Sequence, residues 1–223
     1  MSEALRSREP VATPSERKPR MKLYGEDNPA PNPRRVRIFL AEKGLTIEQE
    51  RVPLRERAHK ASDFLEKNSL GQVPVLELDD GSFLSESVSI CRYLEGLYPL
   101  PPLFGSTPKE QATVDMWIRR VELQLMAPIA HIWRHTHPLT AGLLTQYKDF
   151  GESNRAQADR VYRWLDSELA DCPFIAGDDY SMADIIALTT IDFGQTIGVP
   201  IPQDCARVAT WRERVSDRPS AAA

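Results

Sequence analysis

The sequence predicts two units in series: an α/β domain over residues 21–98 and an all-helical domain over residues 108–223, joined by a linker at 99–107. Three observations carry that prediction. Strand and helix patterns alternate as far as Leu97, in the order β-α-β-α-β-β-α. Pro99, Pro101, Pro102 and Pro108 then crowd a stretch that no regular element can occupy. Beyond it only helical periodicity remains. The length agrees, since 223 residues make two small domains at ~100–150 residues each.

The elements follow in order. Residues 1–20, with three prolines, three serines and five basic against three acidic residues, cannot bury enough apolar surface to order, and a disordered tail is expected. Lys22 to Gly25 reads as a strand, and Glu26 to Pro33 as a loop. Arg34 to Lys43 place Val36, Phe39 and Leu40 at helical spacing, with Gly44 as the stop. Residues 46–52 are a second strand, and Ala61 to Lys67 a short helix burying Phe64 and Leu65. Val73–Leu78 and Ser82–Leu84 flank the turn Asp79-Asp80-Gly81 as a hairpin. Ser87, Ile90, Cys91, Leu94 and Leu97 share one helical face.

In the second half, Thr107-Pro108-Lys109-Glu110 is a capping box opening a long helix through Val114, Trp117, Ile118, Val121 and Leu125. Pro128 should kink or break it. A helix over 153–170 buries Val161, Trp164, Leu165 and Leu169. Ser181-Met182-Ala183-Asp184 is another capping box, starting a buried helix from Ile185 to Phe193. Ala206 to Val215 carry the last helix.

Composition removes several function classes. The apolar share is 41% and the charged share 27%, so a core can form without disulfides or metal. A net charge of −4 lacks the footprint of a nucleic-acid binder. No uncharged run exceeds 13 residues, short of the ~20 of a membrane-spanning helix. Cys91, Cys172 and Cys205 form no CxxC, which points to a reducing compartment, the cytoplasm, rather than to a disulfide framework.

The most informative segment is Asn68-Ser69-Leu70-Gly71-Gln72-Val73-Pro74, followed by Ser85-Glu86-Ser87. Pro74 heads a strand, where a cis Val73–Pro74 bond turns the Val73 backbone outward to pair with an extended peptide. Ser87 opens a helix whose dipole and free N–H groups favour a carboxylate, and Glu86 beside it can hold an ammonium. A peptide with an amino-acid head suits this arrangement. The alternative is a thioredoxin-like core without any ligand, since fold does not imply function.

With Val36-Arg37-Ile38-Phe39-Leu40-Ala41-Glu42-Lys43-Gly44, Phe174-Ile175-Ala176-Gly177 and the second capping box added, the chain resembles the cytosolic glutathione transferases from residue 21 to about 220. The resemblance implies a thioredoxin-like domain followed by a helical one, a homodimer, and glutathione as cosubstrate with a hydrophobic electrophile. It implies that Glu86 and Ser87 hold the γ-glutamyl head and that the Val73 backbone, set by Pro74, pairs with the cysteinyl residue. His59, Lys60 and Gln72 fall where related enzymes grip the glycyl carboxylate. The helix around Pro128 lines the acceptor pocket in this family, which makes Met126, Ile129, Trp133 and His137 acceptor candidates. The other reading of that helix puts Ile129 and Trp133 in the core.

The thiol-activating position departs from the family. Many relatives carry Ser-Pro or Cys-Pro after the first strand, whereas Ala30-Pro31 stands here. The loop Ala30-Pro31-Asn32 is similar to the Thr-Pro-Asn of Nu-class enzymes, with the threonine lost. Asn32 can donate through its amide, and Asn28 is a second candidate. Asn32 also reads as a plain helix cap before Pro33. Tyr24 lies within the strand and is set aside. Arg34, Arg35 and Arg37 are expected on a solvated face, from which they can raise the local positive potential. His131 and His135 have the spacing of a metal pair, with His137 beyond, but no cysteine or nearby carboxylate completes a set, so no metal is expected. Three readings stand: transfer of glutathione to an electrophile, glutathione-dependent disulfide reduction of Nu-class type, and a non-catalytic binding protein.

Overall fold

The computed structural model describes residues 20–27 and 29–223, so the expectations for Asn28 and for residues 1–19 of the tail lie outside it. Arg20, the last tail residue, donates its main-chain N–H to Asp79.

A four-stranded mixed sheet has the order β2-β1-β3-β4, from β1 (Lys22–Gly25), β2 (Glu48–Arg51), β3 (Val75–Glu77) and β4 (Phe83–Ser85). Strand β1 runs parallel to β2 and antiparallel to β3, which pairs antiparallel with β4. Strand alternation sends Leu23 and Leu76 to one face and Tyr24 and Val75 to the other. The first face packs under α1 (Pro31–Glu42) and α3 (Ser87–Leu97), through Val36, Phe39, Ile90 and Leu94. The second is covered by Phe64 of α2 (Ser62–Lys67) together with Val52. The two middle strands are thus buried on both sides. Strand β2 is an exposed edge, its glutamates Glu48 and Glu50 paired with Lys22.

The second unit comprises α4 (Pro108–Arg120), a π turn (Val121–Met126), α5 (Ala127–Thr136), α6 (Lys148–Glu168), α7 (Met182–Thr196) and α8 (Ala206–Ser216). Helix α7 is apolar nearly all round and buried from Met182 to Ile191, as a central helix must be. The break expected at Pro128 is the π turn: proline has no N–H and its ring crowds the carbonyl one turn back, so the preceding turn widens. A fold of thioredoxin-like α/β domain plus helical domain is what the sequence predicted.

Several boundaries and burials differ from expectation. Helix α1 starts at Pro31, not Arg34, so Asn32 is its second residue and Ala30 its cap. The reading of Asn32 as cap is therefore corrected. Leu65 and Leu97 are exposed rather than buried: α2 turns Phe64 inward and Leu65 outward, and α3 leaves the core after Leu94. Helix α6 begins five residues earlier than read, at Lys148. Among the described residues no helix is long and apolar enough to cross a membrane.

Candidate functional site

A cleft of about 400 Å³ lies where α1, α3 and the π turn converge, lined by Asn32, Arg35, Glu86, Ser87, Glu122 and Met126 among others. Its α3 wall is conformationally unusual. Glu86 holds φ +70° immediately before the helix, in a region that L-residues rarely adopt. This bend presents the carboxylate outward while Ser87 is buried at the helix start. The N-terminal N–H groups of α3 have no side-chain cap.

The α1 wall is built by Pro31-Asn32-Pro33. Neither proline has an N–H, and the N–H of Arg34 closes onto the Ala30 carbonyl at 3.4 Å. Among the described residues, Asn32 is therefore the one of this turn whose main-chain N–H has no partner, and its side chain adds an amide. Ala30 supplies no cap. What this end of the helix can give an anion is concentrated in Asn32.

Beneath both walls sits Arg35, only 2% exposed. Its guanidinium donates to Glu122 Oε1 at 3.0 Å and to the hydroxyls of Thr189 and Thr190, each at 3.3 Å; Ser87 Oγ is at 3.5 Å, the outer limit of a bond. Burial pushes its pKa below the ordinary value, and Glu122 opposes that shift. The solvated face expected for the three arginines is thus corrected. Arg34 pairs with Asp192 and Arg37 donates to the Glu26 carbonyl. Sequence reasoning missed Arg35 and Glu122 as site residues. The signal was present, because Arg35 lies three and four residues before Ile38 and Phe39 and so shares their buried face.

The cis Val73–Pro74 bond is present. Asn68, buried, brackets the turn before it by donating to the Gln72 carbonyl and accepting from Leu70 N–H. Gly71, at φ +55°, packs against the 3-10 turn Ala58–Lys60: a Cβ there would stand 2.5 Å from the His59 carbonyl oxygen. This contact sets the Ala58–Lys60 turn, with His59 and exposed Lys60, beside Gly71 and the residues that follow it, exposed Gln72, half-buried Val73 and buried Pro74. Lys60 Nζ is already engaged, donating to the Leu70 and Gly71 carbonyls at 2.8 Å each. His59 Nδ1 is buried and has no partner among the described residues. Burial, then Lys60 and Arg57, push its pKa down.

The acceptor candidates divide. Met126 borders the cleft. Ile129 is fully buried in the core and presents nothing to it. Trp133 stands behind Phe193, their ring centroids 5.6 Å apart, and lies tilted by 35° against His137 at 4.1 Å. His131 and His135 join α5 to α6: His131 Nδ1 faces Asn154, His135 Nδ1 accepts the Tyr147 N–H, and both rings lie against Phe150. Among the described residues no group of three His, Cys, Asp or Glu gathers around a metal position. Tyr24 is buried, its hydroxyl donated to Glu77 at 2.6 Å, and burial pushes its pKa up to about 12.

Comparison with known proteins identifies the frame in which these residues sit. Residues 30–97 match the family model for the glutathione S-transferase N-terminal domain, and residues 130–219 that for the C-terminal domain. Glutathione S-transferase 2 of Saccharomyces cerevisiae is 37% identical over 211 residues, covering 91% of this chain and 89% of the relative. The crystal structure of Gtt2 from that yeast superposes with a TM-score of 0.85 at 36% identity, covering 90% of this chain and 98% of the other. A glutathione S-transferase domain-containing protein from Marinobacter aquaeolei gives the same TM-score at 38% identity, over 89% and 98% of the two chains. The chain belongs to the glutathione S-transferase family.

Proposed function

We propose that this chain binds glutathione in the cleft between α1 and α3, stabilises its thiolate and directs it at a hydrophobic electrophile. The observation that carries the reading is the pairing of two uncapped helix ends across one cleft, Asn32 at one and Glu86 with Ser87 at the other. Glu86 holds the ammonium of the γ-glutamyl head and Ser87 its carboxylate. The Val73 backbone pairs with the cysteinyl residue. His59, Lys60 and Gln72 serve the glycyl end. Residues 21–98 supply this glutathione side, residues 99–107 the linker, and residues 108–223 the acceptor side, with Met126 at the mouth and Trp133 and His137 behind it. The protein works as a cytoplasmic homodimer, needs no metal, and takes glutathione as cosubstrate.

A cysteine-like thiol has a pKa of ~8.5, so turnover near neutrality needs stabilised negative charge on sulfur. An exposed helix-end field is worth ~0.3–1 kcal/mol and a charge-assisted hydrogen bond ~1.5–3 kcal/mol. At ~1.4 kcal/mol per pKa unit, the field alone gives less than one unit. The Asn32 donors therefore supply the larger share.

Calorimetry with glutathione, followed by turnover of an aryl halide and of a hydroxyethyl disulfide, tests the reading. Binding with aryl-halide turnover is expected. Turnover of the disulfide alone moves the assignment to the Nu-class type of reduction, in which glutathione supplies both sulfurs. Binding without a thiolate at neutral pH makes the chain a binding protein. Light scattering should give about twice the 25.2 kDa chain mass.

A further inference from the structure

Arg34 has no part in the cleft. It stands on the other side of the same first turn of α1, where Pro31 and Arg34 border a void of about 200 Å³ closed by Asp192 and Phe193 of α7. Its Nη1 donates to Asp192 Oδ2 at 2.5 Å, and its Nη2 to the Ala221 carbonyl at 2.8 Å. Asp192 is held from its other oxygen by Arg212 of α8 at 2.8 Å. Ala221 belongs to a 3-10 turn, Pro219–Ala222, that is itself fastened: Ser220 Oγ and the Nε and Nη2 of Arg218 donate to Glu42, at the far end of α1. One side chain thus ties the thiol end of α1 to α7, and through shared partners to α8 and the last turn of the fold.

Arg35 anchors the inner face of that end of α1 to Glu122, Thr189 and Thr190, and buried Pro33 packs against Gly25, so the outer face is what Arg34 holds. The cap of α1 is an alanine without a side-chain bond, and two of the helix's first three residues are prolines that donate nothing. A turn so poor in main-chain and cap bonds takes its position from its two arginines, Arg35 inward and Arg34 outward. The Arg34 Nε is, moreover, buried without a partner among the described residues. Native interiors seldom leave a donor so. The side chain accepts that cost while its two outer nitrogens bridge α7 and the last turn.

We propose that Arg34 is a positioning residue for thiolate stabilisation: by bridging Asp192 and the Ala221 carbonyl, it fixes the first turn of α1 so that the Asn32 donors meet the sulfur. The inference rests on the reading of Asn32 given above. It competes with a simpler idea, that Arg34 acts by charge alone. The two part company on Asp192→Asn. Losing that carboxylate leaves two arginines unneutralised, which by charge alone would strengthen thiolate stabilisation. Losing the anchor weakens it.

The experiment titrates the thiolate absorbance of bound glutathione in the unaltered chain, Asp192→Asn and Arg34→Lys. Affinity for S-methylglutathione, whose sulfur cannot ionise, separately reports the Glu86 and Ser87 side. In both variants the bound-thiol pKa should rise by about half to one unit, a three- to tenfold loss of thiolate on the acid side. S-methylglutathione affinity should stay within about twofold, and turnover should recover near pH 9, which a general structural defect would not allow. Arg34→Lys keeps the charge but loses the planar fork that spans the Asp192 carboxylate and the Ala221 carbonyl, and it carries the test if Asp192→Asn does not fold. A bound-thiol pKa that falls or stays put in Asp192→Asn, or one unchanged in Arg34→Lys, overturns the proposal. If the unaltered chain holds no thiolate at all, the Asn32 reading fails and this inference with it.

Discussion

The N-termini of α7 and α1 are made of the same backbone and finished in opposite ways. At α7, Ser181 Oγ accepts the Ala183 N–H, and the Asp184 carboxylate takes the N–H groups of Ser181 and Ile175, the Ser181 hydroxyl and the Trp211 indole. Helix α4 is closed by its own box, Thr107 with Glu110, and α8 by Asp166, which accepts from Arg207 and Val208 N–H. At α1 an alanine and two prolines leave the Asn32 donors open, and at α3 the residue before the helix turns its carboxylate away. The three closed ends, of α4, α7 and α8, all lie in the helical half and help hold it together. The open ends of α1 and α3 face each other across the cleft, whereas α2 and α6, which also lack a side-chain cap, do not border it. The difference teaches that a missing cap can be as informative as a present one, because orphan N–H groups that a fold does not use are available to a ligand.

The largest effects should come from confusing the two kinds of end. Asp184→Ala strands several buried donors at ~1–3 kcal/mol each, offset by what the buried carboxylate costs; burial pushes its pKa up to about 6. A net loss of about 3 kcal/mol or more is expected, roughly 6–12 °C in melting temperature for a chain of this size. Glutathione affinity of the folded fraction should hold. Scanning calorimetry checks this, and a shift below two degrees would mean the box is redundant. At the open end the signs reverse. Glu86→Gly should weaken glutathione binding roughly tenfold or more, losing a charge-assisted bond of ~1.5–3 kcal/mol. It should also raise stability by up to ~1 kcal/mol. Relief of a left-handed backbone at ~1–2 kcal/mol outweighs the ~0.5–1 kcal/mol cost of glycine's freedom. Glu86→Ala should show the binding loss without the gain. Equal melting temperatures for the two would show that φ +70° costs nothing here.

The closed ends were legible in the sequence because a capping box is local: Thr107 with Glu110 and Ser181 with Asp184 lie three residues apart. The thioredoxin-like half was legible for a similar reason, as short apolar strands and a proline-headed hairpin leave little choice of fold. What stayed hidden was set by tertiary contact. Asn32 read as a cap because Ser, Thr, Asp and Asn usually are. Nothing local says that the helix starts two residues earlier, at Pro31. Arg34 and Arg35 read as solvated because arginine is seldom buried, although the spacing of Arg35 to Ile38 and Phe39 already put it on the buried face. Their burial depends on Asp192, Thr189 and Glu122, 87 to 158 residues away in the chain. Ile129 and Trp133 fit both a pocket wall and a core stripe, and only the packing against Gly194 and Phe193 separates them from the cleft.

A sharper version of the comparison is to remove the donor the open end of α1 retains. Asn32→Ala keeps the main-chain N–H and deletes the amide, so the bound thiol should lose one hydrogen bond and keep the helix field. On ~1.5–3 kcal/mol per charge-assisted bond, its pKa should rise by about one unit. Turnover should slow about tenfold near pH 6.5 and much less near pH 9. Ala30→Ser in the same background should restore part of the loss. Overlapping thiolate titrations in Asn32→Ala and the unaltered chain would transfer the role to the main chain.

The smallest expected effect concerns the glycyl end, where two neighbouring nitrogen-bearing side chains, Lys60 and His59, differ in how they are engaged. Lys60 spends its ammonium on the Leu70 and Gly71 carbonyls, whereas His59 has a buried Nδ1 without a partner among the described residues. Burial, Lys60 and Arg57 push the imidazole below its ordinary value of ~6.5, so at neutral pH it is uncharged. The sign follows. A histidine whose folded pKa is lowered contributes stability above its unfolded pKa and loses it as pH falls, because the unfolded chain binds the proton more readily. A docked carboxylate reverses this by favouring the imidazolium, so binding should take up a proton. S-methylglutathione affinity should therefore improve as pH falls from about 7.5 to 5.5, and a partly exposed pair worth ~0.2–1 kcal/mol limits the gain to about fivefold. The melting-temperature gap between bound and free protein should widen over the same range. Calorimetry in two buffers of different ionisation enthalpy measures the proton directly. His59→Gln should abolish both the uptake and the slope. A slope that survives the substitution would assign the glycyl carboxylate to Lys60 or Gln72 and leave His59 a wall of the Gly71 turn.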